Sequence, residues 1–130
     1  MEETVFTKIV KGEIPCHKVY EDDFTLAFMD IHPVTPGHVL VISKKQIDKI
    51  WDLPDEDYLA LQETVKKMCH RVENVLEPVR VGVKVIGIDV PHAHVHVFPF
   101  NNMDEYNTVP DMSKEPDHNA LADMAERLRF

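Results

Sequence analysis

The stretch Gly87-Ile-Asp-Val-Pro-His92-Ala-His94-Val-His96-Val-Phe98-Pro99 places three of the chain's eight histidines within five residues, spaced by two. Ala93, Val95 and Val97 fill the gaps and the phenylalanine follows. β-Branched valines favour an extended, pleated backbone. In a strand, residues i, i+2 and i+4 share a face. His92, His94 and His96 are therefore expected on one side, with Ala93, Val95 and Val97 turned into a core. The outer two imidazoles stand roughly 13 Å apart at the usual strand rise, with the middle one in reach of both. A strand with an ordinary polar face would also alternate in this way. Three neutral imidazoles near pH 7 instead suit nucleophilic chemistry or metal ligation.

Working outward, the chain of 130 residues is expected to form one domain, 1–130, large enough to bury a core without staples. Its composition, 44% hydrophobic and 28% charged, is that of an ordinary globular protein. Cys16 and Cys69 have no close cysteine neighbour, so neither a zinc knuckle nor a disulfide framework is indicated. No basic segment followed by an apolar run stands near Met1, and no apolar stretch approaches a bilayer span. A cytoplasmic protein with no membrane partner is the expectation. The net charge of −9 argues against a nucleic acid polymer as partner, although not against a single nucleotide.

Upstream, Thr4 can cap a short helix to Val10, with Phe6, Ile9 and Val10 on one side and Gly12 beyond its end. Lys18–Glu21 and Thr25–Met29 read as a hairpin around Asp22-Asp23. A loop with two prolines, Asp30–Gly37, leads to a central strand, His38–Ile42. Ser43 to Leu53 is expected to hold a helical turn or two. Pro54 then opens a long helix whose Leu61, Val65, Met68, Val72 and Leu76 recur on one stripe. Lys66, Lys67, Arg71 and Glu73 fall off that stripe and are expected in solvent. Val79 to Ile86 alternates as a half-buried strand. Asn101–Glu115 is weakly patterned, and Pro116-Asp117 opens a last helix with Leu121, Met124, Ala125 and Leu128 inward. The fold class is α+β: an antiparallel meander of about five strands with the main helix on one face, a short N-terminal helix and a C-terminal helix.

Five blocks carry a family resemblance: Phe6-Thr-Lys-Ile-Val-Lys-Gly-Glu-Ile-Pro15, Val19-Tyr-Glu-Asp22, Ala27-Phe-Met-Asp30, Pro36-Gly-His-Val-Leu-Val-Ile42 and His92-Ala-His-Val-His-Val-Phe98. In this order they resemble the histidine triad (HIT) family, and within it the small Hint-type nucleotide-binding proteins. The match runs from residue 5 to residue 99; 101–130 is a variable C-terminal segment. The resemblance implies a hydrolase of nucleoside phosphoramidates or other nucleoside 5′-phosphate derivatives. His94 would attack the α-phosphorus, and water would cleave the nucleotidyl-histidine to release a purine nucleoside monophosphate such as AMP. His96 would donate to a phosphate oxygen, His92 would orient His94, and His38 would hold His92. Asp30 would accept the ribose hydroxyls, while Val5, Phe6, Ile9, Phe28 and Ile31 would sandwich the purine. Asp89 and Val90, in the loop before the triad, complete the substrate-binding set.

Three departures from the family pattern bear on chemistry. Asp89 stands where Hint proteins commonly carry a serine, and either assists the leaving group or turns outward, since a carboxylate repels phosphate. Lys84 is expected opposite His94 across a hairpin. Thr4, Thr7 and Gln46 occupy positions where some members place a Cys-x-x-Cys and a histidine around zinc, so no structural zinc and no cofactor are expected. The resemblance also implies a homodimer with joined sheets, its C-terminal segment reaching the partner's site. Two other functions remain open: a nucleotide-binding or scaffold protein with little turnover, and a metal-dependent hydrolase with His38 or Asp30 as a further ligand. His17, His32, His70 and His118 read as ordinary loop or surface residues.

Overall fold

A computed structural model describes residues 2–130. Thr4 caps the first helix, α1 (Val5–Val10), its hydroxyl accepting from Thr7 N–H. Strands β1 (Lys18–Glu21) and β2 (Thr25–Met29) form the expected hairpin, and β3 (Val39–Ser43) pairs antiparallel with β2. Gly37 makes the turn into β3 at φ +102°, where a Cβ would also meet Leu76 Cδ1 at 2.5 Å. Between Ser43 and Leu53 there is one 3₁₀ turn, Ile50–Asp52, and no further helix. Lys45, Gln46 and Ile47 instead give their polar groups to neighbouring chain, as in Ala93 N–H to Ile47 O at 2.6 Å.

Helix α2 (Asp55–Leu76) begins with three carboxylates in its first turn, favourably placed against the helix dipole. It ends at Glu77 in the left-handed region. Its Leu61, Val65, Met68 and Val72 are buried against β2, β3 and β5 (His94–Phe100). Because α2 carries the chain across the sheet, β4 (Arg80–Lys84) lands one position out, and β5 returns to fill the gap in the order β1-β2-β3-β5-β4. β4 is thus an edge strand that α2 covers only in part, with Val81 packed on the α2 core. Val83, on the helix face opposite Val97, stays 48% exposed, and the strand is shorter than Val79–Ile86. Lys84 pairs with His96 rather than His94, because the connection to β5 is longer than a simple hairpin loop. Its ammonium turns away, donating to Tyr106 O at 2.7 Å and lying over the Tyr106 ring.

A short helix, α3 (Met103–Tyr106), and α4 (His118–Leu128) complete the chain, with Leu121, Ala125 and Leu128 buried against α2 and the sheet. Arg71 is not a solvated bystander. Its guanidinium donates to the carbonyls of Arg127, Leu128 and Arg129 and so fastens the end of α4 to α2. The sheet separates two cores: a large one under α2, and a smaller one under α1 made of Phe6, Leu26, Phe28, Leu40 and Ile42. The histidines lie on the α1 side.

Candidate active site

β5 begins at His94, and His92 occupies the bend before it. The alternation nevertheless holds, since Ala93, Val95 and Val97 are sealed in the α2 core. His92 and His94 are buried beneath Phe6, whose ring meets theirs edge-on at 5.7 and 5.1 Å. The β3–β5 register sets Leu40 opposite His96 and Ile42 opposite His94. That register brings His38 to His96, with Nε2 and Nδ1 3.0 Å apart. The expectation that His38 holds His92 is therefore corrected: the β3–β5 pairing puts them at opposite ends of the site.

The hydrogen bonds are consistent with one set of ring protons at His38, His96, His92 and His94. Val34 N–H donates to His38 Nδ1 at 3.1 Å, so that nitrogen bears no proton and Nε2 does. His38 Nε2–H donates in turn to His96 Nδ1, which leaves the His96 proton on Nε2. At the other end, His92 Nε2–H donates to Ser43 O at 2.6 Å, and Thr4 Oγ1–H donates to the bare His92 Nδ1 at 2.7 Å. His94 Nδ1–H donates to the main-chain carbonyl of His92 at 2.6 Å, so it is this carbonyl and not the His92 ring that orients His94. His94 Nε2 is thereby a bare lone pair. Both His94 Nε2 and His96 Nε2 are buried without a hydrogen-bond partner among the described residues. One can attack and the other can donate, with ring centroids 5.3 Å apart.

Burial favours the neutral form of His38, His92 and His96. Burial, with His96 and Lys84 nearby, pushes His38 down to about 3. Burial and the neighbouring His94 push His96 down to about 4, and burial also lowers His92. Asp30 lies 3.5 Å from His38 Nε2 and 3.9 Å from His96 Nδ1, while its other oxygen accepts His32 N–H at 2.8 Å. Burial raises its carboxyl above the usual range. Asp89 is 62% exposed at its side chain yet sits 3.6 Å from His94 Nε2, beyond hydrogen-bond length.

The remaining expected residues divide by exposure. Phe6 and Phe28 are buried with ring centroids 5.7 Å apart, and Ile9 and Val90 pack half-buried on the same cluster. Val5 is exposed at the start of α1, whereas Ile31 is exposed in the loop after β2 and lines a different cavity. A cavity of about 400 Å³ between the 31–37 loop and α4 contains none of the triad histidines. Thr4, Thr7 and Gln46 come together around His92, with Gln46 Oε1 accepting from Thr7 Oγ1 at 2.5 Å and from Thr4 N–H at 2.9 Å. Reading the sequence identified Thr4 as a cap but missed its bond to His92 and the part played by Ser43 O and Val34 N–H. Main-chain partners leave no signature in residue type.

Residues 11–103 match the HIT domain. The chain belongs to the HIT family. Across 98% of its length it is 33% identical to the protein hit of Bacillus subtilis, of which 95% is covered. It is 39% identical over 106 residues to the adenosine 5′-monophosphoramidase hnt1 of Schizosaccharomyces pombe, covering 78% of this chain and 77% of that one. A HIT-like protein from Bartonella henselae superposes with a TM-score of 0.85 at 29% identity, covering 98% of this chain and 95% of the other. The α+β architecture of this HIT protein is thus that of its solved relatives.

Proposed function

We propose that this HIT protein hydrolyses purine nucleoside 5′-phosphoramidates through a covalent nucleotidyl-His94 intermediate, releasing AMP or its guanosine counterpart. One observation carries the reading: a buried lone pair on His94 Nε2 beside a buried N–H on His96 Nε2, neither partnered among the described residues. His94 Nε2 forms a bond to the α-phosphorus while the P–N bond breaks, and the amine leaves with a proton drawn from solvent. His96 Nε2–H donates to a non-bridging oxygen as charge gathers there. Water then adds to phosphorus, the P–Nε2 bond breaks, and water's proton returns to solvent. His38 holds His96, and the His92 carbonyl holds His94. Asp30 takes the ribose hydroxyls, with Val5, Phe6, Ile9, Phe28, Ile31 and Val90 around the base.

The name of the S. pombe relative supports the phosphoramidate substrate. No described helix is long and apolar enough to cross a membrane, which accords with work in the cytoplasm. A homodimer joined through the sheets is supported by the open edge of β4 with exposed Val83, Val85 and Ile86 beside it. The deciding experiment is intact-mass analysis of protein mixed with adenosine 5′-phosphoramidate, beside His94→Ala. A transient adenylate adduct that the variant lacks is expected; no adduct and no hydrolysis would leave a nucleotide-binding role.

A second reading, metal-assisted hydrolysis, has one observation behind it. Asp30, His38 and His96 each offer a ligand atom within 4.8 Å of the others. To ligate together, His38 would have to give up the Nε2 proton that it donates to His96. Turnover that withstands a chelator and gains nothing from added zinc disposes of this reading.

A further inference from the structure

The bonds around His92 point to a role for α1 that its packing alone does not require. His92 is fully buried, yet both of its ring nitrogens are engaged, one by Ser43 O and the other by the Thr4 hydroxyl at 2.7 Å, while the Thr7 hydroxyl, 3.4 Å from the same nitrogen, gives its proton to Gln46 Oε1. Thr4 is itself held, because Thr7 N–H donates to its hydroxyl and Thr4 N–H donates to Gln46 Oε1. Gln46 Nε2 donates onward to Glu2 O, closing the cluster over the start of the helix. Among the described residues, the His92 carbonyl is the hydrogen-bond partner that determines which nitrogen of His94 is bare. His92 lies in a bend and not in the ladder of β5; Ala93 N–H to Ile47 O at 2.6 Å holds the peptide that bears its carbonyl, and the side-chain bonds and His92 N–H to Val90 O set how the His92 ring sits against it.

We propose that Thr4 is a positioning residue for His94, acting through the His92 ring: its hydroxyl proton holds His92 in the neutral Nε2–H form and so sets how the ring sits against the carbonyl that orients the nucleophile. The threonine that caps α1 and the lone pair that attacks phosphorus are then joined by two hydrogen bonds through the covalent frame of His92. Phe6, on the same helix and edge-on to both His92 and His94, shares the link. A nucleotide base resting on α1 would consequently press on the element that aligns His94. The inference rests on the proposed chemistry for its kinetic consequence but not for its structural one.

The test separates capping from positioning with three variants of the full chain. Thr4→Ser keeps both functions. Thr4→Asp keeps the cap, since a carboxylate accepts Thr7 N–H, but has no proton for His92 Nδ1. Thr4→Val loses both. Imidazole nitrogen NMR of wild-type protein is expected to show His92 as the Nε2–H tautomer, unchanged in Thr4→Ser and converted in Thr4→Asp to a ring protonated at both nitrogens. With adenosine 5′-phosphoramidate, kcat should fall about tenfold in Thr4→Asp and Thr4→Val with KM within about twofold, while Thr4→Ser stays near wild type. A Thr4→Asp protein with the wild-type His92 signal and wild-type kcat would overturn the proposal and leave Thr4 as a cap. If wild-type protein showed no turnover, the phosphoramidase reading would fall. The His92 signals of wild type and Thr4→Asp would still decide whether Thr4 sets the tautomer.

Discussion

On the α2 face of β5, Ala93, Val95 and Val97 are sealed among residues such as Val39, Val41, Leu61 and Met68. On the α1 face, a single residue away in each case, His94 and His96 present buried ring nitrogens that no described group satisfies. The first face is held by apolar contact, which has no direction and lets neighbours repack around a change in shape. The second is held by two sets of directed bonds, one at His38 and His96 and one at His92 and His94, each of which sets where a ring proton lies. Removing one methyl from the first should cost stability and little else. Breaking one link in the second should misplace a proton and cost chemistry.

That contrast can be broken or sharpened by experiment. The largest effect is expected at His96→Ala, which removes the N–H beside the proposed nucleophile His94 and should lower single-turnover rate roughly 10²- to 10³-fold with the fold intact by circular dichroism. A change of less than threefold would remove His96 from the transition state. The next concerns acid. His38, His92 and His96 all have folded-state values below the ordinary 6.5, so the unfolded chain binds more protons as pH falls. Their stabilisation is complete above about 6.5 and is lost progressively toward the values near 4 and 3 of His96 and His38. A melting temperature lower by roughly 10 °C at pH 5 than at pH 7 is expected from scanning calorimetry. A flat profile would mean that the histidines charge without unfolding.

On the apolar face, Val97→Ala should cost about 2 kcal/mol in urea unfolding and leave turnover per folded molecule unchanged. Impaired chemistry in that variant would show that the two faces are coupled after all. The smallest effect is expected at Asp89→Ser. Its exposed carboxylate stands 3.6 Å from His94 Nε2 and, on the proposed mechanism, would repel the incoming phosphate, so its loss should raise turnover several-fold. A fall instead would assign Asp89 to the leaving group.

The faces also differed in how far they could be read from sequence. Alternation of valine and histidine fixed which side of β5 faces the core, and the stripe Leu61-Val65-Met68-Val72 fixed what covers it, because periodicity and burial are local properties. The partners of the histidines were not legible. Whether His38 meets His92 or His96 depends on the β3–β5 register, and whether Lys84 faces His94 or His96 depends on the path of the nine residues 85–93. Register is decided by pairing across the sheet, which no single strand encodes. The bonds from Thr4, Ser43 O and Val34 N–H reach across 88, 49 and 4 residues, and two of the three come from main chain.

The groups at the ends of the imidazole chain have one further consequence. Val34 N–H and the carbonyls of Ser43 and His92 do not titrate, and they survive any side-chain substitution that leaves the backbone in place. The protons of His38 and His94 therefore follow the path of the chain, with Thr4 the side-chain member at His92, while the loop around Asp89 and the segment after Phe100 touch neither of those main-chain groups. A descendant of this sequence could exchange its substrate many times over and still present the same lone pair beside the same N–H.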